Sequence, residues 1–391
     1  MVDESRRTPN YPLRRAVAGS GALTLVALLV VGTVALVKDD RSVPGGVSAN
    51  SIPAVSTDSA PPIVSTIDPA PAPIGFSPED LADVRPNEVG IIPVLEYHLI
   101  EPGANSDYSR TPDSFRADLA WLVEHDFFPI RFRDLTSGRF DVPAGKSPVV
   151  LTFDDSSDGQ FRILDDGTVD PLSGMGIMLD MAAQHDDFPA VATFFPLLDV
   201  DVDSRILWGQ PDRVDDKLRT IIESGGEIGS HTVSHQRLDQ VDADRVRWQL
   251  ATSSATLHDR IAGITDEPYE IVSLALPLGM YPTDETLLRS GFSEGHSYEF
   301  SGAAEVAGGP TVSPFASDFD AYHIDRIQAI DGYLDRNFEH LIAHKNLVFV
   351  SDGDPDVITV PTEATIDDDQ RDSFTTPAGW TDEMVVRYDR T

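Results

Sequence analysis

The run Pro148-Val149-Val150-Leu151-Thr152-Phe153 carries almost no polar atom and ends abruptly on two adjacent carboxylates, Asp154 and Asp155. A short apolar run rich in Val and Phe reads as a strand buried on both faces, as in a parallel sheet. The carboxylates then fall at its C-terminal end, where α/β sheets and barrels place their chemistry. Taken alone, Asp-Asp-Ser-Ser-Asp-Gly also reads as an ordinary turn after a strand. A second stretch, Gly229-Ser230-His231-Thr232-Val233-Ser234-His235, adds two imidazoles four residues apart. One carboxylate and two histidines make a divalent-metal ligand set that leaves positions open for water and substrate.

The 391 residues hold 65 Asp and Glu against 29 Lys and Arg, a formal charge of −36. That balance argues against a nucleic-acid partner, which needs a basic footprint. The sequence has no cysteine, so any metal is held by histidine and carboxylate rather than thiolate.

Residues 1–15 are polar and carry Arg6, Arg7, Arg14 and Arg15, and read as a cytoplasmic N-terminus. Residues 16–37 are 22 in number and uncharged, long enough to cross a bilayer as one helix. The flanking arginines favour an exported remainder. A cleaved signal peptide is the competing reading. The length of the run and the lack of a clear small-x-small site before Lys38 favour an uncleaved anchor in the cell membrane. Residues 38–80, rich in Pro, Ser and Ala, read as an extended spacer.

The folded domain is expected over 81–360, with 361–391 as an acidic tail in which Trp380 and Val385-Val386 are the residues able to dock. Strands are expected at Ile91–Tyr97, Phe127–Ile130, 148–153, Ala190–Phe195, Ile271–Leu276 and Leu347–Val350. Helices alternate with them: one opening at Thr111-Pro112, then Met175–Ala183, Val214–Ile222, Ala243–Ile264 and Leu334–Ala343. The alternation implies βα units, a parallel sheet, and by the number of units a barrel.

Two adjacent carboxylates can divide labour, one on a metal and one accepting a proton from a nucleophilic water. On an ideal strand they face opposite ways, so the chain must turn there. Likewise His231 and His235 share a face only in a helical or tightly turned segment. A bound Zn²⁺ lowers the pKa of water towards neutrality.

These residues resemble the polysaccharide deacetylase family, also called the NodB-homology domain or carbohydrate esterase family 4, over roughly residues 88–360. The family's TFDDG matches Thr152-Phe153-Asp154-Asp155, with Ser156 in place of Gly. Its H(S/T)xxH matches His231 to His235, and Pro93-Val94-Leu95-Glu96-Tyr97-His98 resembles the PVLxYH start of one branch. The resemblance implies a distorted parallel (β/α) barrel, Asp154 as catalytic base, and Asp155, His231 and His235 as ligands of a divalent metal, with Zn²⁺ the expected ion. The implied activity is removal of acetyl groups from N-acetylglucosamine units of a cell-wall or extracellular polysaccharide. O-acetyl ester cleavage and a non-catalytic carbohydrate-binding role are the alternatives.

Two family features are missing. The RxPxG motif reads Ala275-Leu276-Pro277-Leu278-Gly279, without its Arg. Leu278 would still donate a backbone N–H to an oxyanion, and Arg326 is the candidate replacement for the Arg. The late strand Leu347–Val350 is followed by Ser351-Asp352-Gly353-Asp354 and not by the family's histidine. His98 and His323 are the candidates for the missing proton donor.

Overall fold

The computed structural model describes residues 78–103, 106–362 and 379–389. The expected N-terminus 1–15, the anchor 16–37 and nearly all of the spacer 38–80 lie outside the described residues. Among the described residues, no helix is long and apolar enough to cross a membrane.

The central strand is β3, Ser147–Asp154, buried along all eight residues. It lies between β1, Val94–Tyr97, on one side and two strands on the other. Of those two, β2, Phe127–Ile130, pairs with the first half of β3, and β4, Thr193–Phe195, pairs with the second half. β4 continues to β5, Glu227–Ile228. A bridge from Ser230 to Leu274 leads to β6, Ser273–Ala275, which pairs with β7, Gly302–Ala304. A bridge from Ala304 to Ile324 leads on to β8, Ile327–Gln328, which returns to β1. Every link in this ring is parallel. The expected distorted barrel is visible in it: at two points the ring is joined by a single bridge instead of a ladder.

Strand periodicity sorts the side chains into two cores. Val149, Leu151 and Phe153 face outward with Leu95 and Tyr97. There they meet Phe115, Leu119 and Leu122 of α1, Pro112–Glu124. Val94 and Val150 face the other way and pack with Phe195, Ala275, Ala304 and Ile324 inside the ring. Thr152 and Asp154 share the parity of Val150, so the inner face turns from apolar to polar towards the C-terminal end of β3.

The helices follow their sequence signals. Thr111 caps α1 by accepting from the Ser114 N–H, with Pro112 at the first position. α2 is Phe132–Ser137, and α3, Gly174–Gln184, is capped by Ser173. α4 is Val214–Glu223, and α5, Ala243–Ala262, is capped by Asp242. α6 is Tyr333–Ala343.

Two expectations are corrected. Leu347–Val350 is not a strand of the ring. A 3₁₀ turn, Lys345–Leu347, precedes two isolated bridges, Ile91 to Val348 and Asn87 to Val350. The ring closes at β8, so no inner position remains for it. Nor is the chain beyond 361 only a tail. Val385–Tyr388 pairs in parallel with Ile358–Pro361, and Trp380 packs edge-on against Phe315.

Candidate metal centre and catalytic cleft

Asp154 is the last residue of β3, and the chain turns at once. Asp155 and Ser156 both lie in the left-handed region, with φ of 72° and 44°. That turn brings two neighbouring carboxylates to one site, against the alternation of a strand. The His231–His235 segment is tightly turned rather than helical, with Thr232 and His235 at φ of 65° and 53°. Gln249 of α5 pins it, accepting from the N–H groups of Val233 at 2.8 Å and Ser234 at 3.2 Å.

Asp155, His231 and His235 each offer a ligand atom to one cluster. Asp155 Oδ1 lies 3.5 Å from His231 Nε2 and 3.5 Å from His235 Nε2. Ligands about 2.0–2.2 Å from a tetrahedral ion stand about 3.3–3.6 Å apart, so the spacing fits one ion. His231 Nδ1 donates to the Ala275 carbonyl at 2.9 Å. The carbonyl can only accept, which leaves Nε2 as the bare nitrogen facing the cluster. Asp155 Oδ1 and His231 Nε2 are buried with no hydrogen-bond partner. Two such atoms facing each other are what a cation would satisfy. Burial, followed by the neighbouring His231, pushes the His235 imidazole down to about 4, so it stands neutral and able to ligate.

Asp154 is held differently. Arg326 Nη1 donates to its Oδ1 at 2.9 Å and Nη2 to its Oδ2 at 2.7 Å. Nη1 also reaches Thr152 Oγ1 at 3.0 Å, and Nη2 reaches Glu96 Oε1 at 2.8 Å. Arg326 Nε donates to the Glu305 carbonyl. The guanidinium is wholly buried inside the ring. Burial alone would raise the Asp154 carboxyl, but the Arg326 guanidinium outweighs it and holds it down at about 2. Asp154 is therefore ionised at any working pH, fixed in a bidentate fork.

His98 enters from the end of β1. Its ring nitrogen, a Glu96 oxygen and an Asp154 oxygen form a second cluster within 4.8 Å. Its backbone carbonyl accepts from Ser157 Oγ at 3.0 Å and Gln160 Nε2 at 2.6 Å. His323 is elsewhere, which corrects its candidacy. It stacks on Tyr281, with Nδ1 3.2 Å from Glu305 and Nε2 3.3 Å from Glu285, and belongs to neither cluster. Leu278 sits in the Pro277–Gly279 turn with φ of 58° and its side chain half exposed.

Two residues had no role in the sequence reading. Glu96 shares Arg326 with Asp154, and its parity with Val94 of β1 and with His98 just beyond it was the available signal. Arg205 ion-pairs with Asp155 Oδ2 from the 3₁₀ turn Asp203–Arg205. Nothing in the sequence around it marks that contact.

A profile of the polysaccharide deacetylase family matches residues 141–286. A curated peptidoglycan-N-acetylglucosamine deacetylase of Bacillus cereus is 26% identical over 156 residues, 40% of this chain and 47% of that protein. The match thus spans about half the length of that relative. Among solved structures, a Streptococcus pyogenes deacetylase in complex with acetate is 18% identical, with a TM-score of 0.46 over 64% of this chain and 99% of that one. A polysaccharide deacetylase from Bacillus cereus is 17% identical, with a TM-score of 0.46 over 64% of this chain and 69% of that one. The profile match takes in Asp154, Asp155, His231 and His235. Residues 141–286 thus match a domain of the polysaccharide deacetylase family.

Proposed function

We propose that the domain is a metal-dependent hydrolase that removes acetyl groups from N-acetylglucosamine units of a cell-wall or extracellular polysaccharide. The observation that carries this reading is the division of two adjacent carboxylates: Asp155 clustered with two histidine nitrogens, Asp154 locked on a buried arginine. A pure binding surface has no use for that division.

Asp155, His231 and His235 would hold the ion, with Zn²⁺ the expected one for a His₂-carboxylate set. A bound divalent ion supplies Lewis acidity and a water of lowered pKa. Asp154, kept ionised by Arg326, accepts the proton of the attacking water. His98, across the Glu96 and Asp154 cluster, delivers a proton to the departing amine. The Leu278 N–H, presented by a turn with a left-handed residue, is the proposed donor to the oxyanion. Residues 16–37, uncharged and preceded by arginines, would anchor the chain in the cell membrane. Residues 38–80 would then space the domain from it, outside the cytoplasm.

The test is acetate release from N-acetylglucosamine oligomers with Zn²⁺, with O-acetylated xylan in parallel to separate amide from ester cleavage. Asp154→Asn should lower the rate at least about 10²-fold. Equal release by the variant removes Asp154 from the base role. No release by the intact domain from either substrate leaves a carbohydrate-binding domain as the better reading.

A further inference from the structure

The two oxygens of Asp155 are divided. Oδ1 faces Nε2 of both His231 and His235, and Oδ2 is taken by Arg205. The loop carrying Arg205 is tied down by Ser156, the residue that stands where the family motif has glycine. Ser156 Oγ donates to the Arg205 carbonyl at 2.7 Å and accepts from the Leu197 N–H at 3.0 Å. The Ser156 carbonyl accepts from the Trp208 N–H at 3.0 Å. Leu207, Trp208 and Gly209 all lie at positive φ, so the loop makes a strained reversal directly after Arg205. A glycine at 156 would keep the bond to Trp208 but lose both bonds of the hydroxyl.

We propose that Ser156 and Arg205 act together as a positioning pair that confines Asp155 to a single metal-facing oxygen. The inference rests on the metal-centre reading above. A carboxylate with both oxygens free can swing to bind an ion through both, filling a position that water or substrate needs. Arg205 prevents this by occupying Oδ2. It also places a positive charge across the carboxylate from the ion. At about 5–6 Å, even with the screening of bulk water, that charge weakens a dication's binding by about tenfold. The cost in affinity is accepted in return for open coordination positions. Because Arg205 and the histidines use different oxygens, the ion can enter without displacing the guanidinium.

The experiment loads the full chain with Co²⁺ and records its visible spectrum, together with its affinity by chelator competition. Wild type should show the intense bands of a low-coordinate ion. In Arg205→Ala these bands should weaken as coordination number rises, and Co²⁺ should bind about tenfold tighter or more. Arg205→Lys, which keeps a donor for Oδ2, should retain the wild-type spectrum. Ser156→Gly should shift the spectrum partway towards Arg205→Ala. Near-ultraviolet circular dichroism checks that each variant is folded. An unchanged spectrum in folded Arg205→Ala overturns the proposal. If affinity rises while the spectrum stays the same, the guanidinium merely competes with the ion, and the proposal is likewise overturned. A fall in affinity also overturns it, and an unchanged Ser156→Gly removes Ser156 from the pair. Wild type and Asp155→Asn run alongside: Co²⁺ that fails to bind wild type is a failure of the metal-centre reading itself, seen apart from the comparison of variants.

Discussion

At the scale of single residues, the cleft concentrates backbone strain. Asp155, Ser156, Thr232 and His235 are all non-glycine residues at positive φ. Each such residue costs of order 1–3 kcal/mol, and here they turn the two segments so that Asp155, His231 and His235 reach one cluster. Arg326 is the residue on which the polar interior depends. It is buried with Asp154 and Glu96, and each carboxylate takes a donor from the same planar fork. Lysine keeps the charge but cannot serve two carboxylates bidentately. Arg326→Lys is therefore expected to lower kcat about 10²-fold with KM little changed, because Asp154 loses its alignment and not its substrate contacts. Steady-state kinetics on N-acetylglucosamine oligomers checks this. Wild-type kcat in the variant would show that Asp154 needs no such fork.

At the scale of elements, α4 is locked to the Arg205 loop by a buried lysine. Lys217 is fully buried, and its Nζ donates to the Trp208 carbonyl at 3.0 Å. Burial pushes the ammonium down to about 7, with Asp158 only partly opposing it. An unfolded lysine titrates near 10.4, so between about pH 7 and 10 the unfolded chain binds more protons than the folded one. Stability contributed by this group therefore rises with pH across that window, and below pH 7 the full penalty of burying the charge is felt. Urea unfolding at pH 7 and pH 9.5 should show a gain on the order of 1–3 kcal/mol for wild type that Lys217→Met lacks. Equal slopes in the two proteins would mean that the lysine is charged in the fold throughout. Such elements were readable in sequence where the signal is local. The Thr111-Pro112 helix start, the Phe127–Ile130 strand and the Ala243 helix start coincide with the expectations. Asp203–Gly209 was not readable, because its conformation depends on Ser156 and Lys217 rather than on its own residues.

At the scale of the whole molecule, the far C-terminal strand closes over the inner core. Trp380 meets Phe315 at 5.3 Å and carries the Arg139 guanidinium over its ring at 4.7 Å. Tyr388 Oη donates to the Pro86 carbonyl at 2.9 Å, tying the two ends of the described domain together. Deletion after Thr362 should expose Ile358, Val360 and Phe315 and lower Tm by about 5–10 °C, while leaving the ligand set in place. Thermal unfolding with and without the segment checks it, and an unchanged Tm would return 363–391 to the status of a tail.

The sequence by itself determined the parts whose cause is local: a buried strand ending in two carboxylates, two histidines four apart, and helices marked by their caps. The fold decided how these meet. Arg326 and Asp154 are 172 residues apart, and only closure of the ring puts one on the other. The different placements of Arg326 and His323 were decided in the same way. Ile324 and Arg326 share one parity and turn inward, both fully buried, while His323 has the opposite parity and turns out towards Glu285 and Glu305. They stand only three positions apart, but an extended chain shows its neighbours to opposite faces, and which face is the interior is fixed only when the barrel closes.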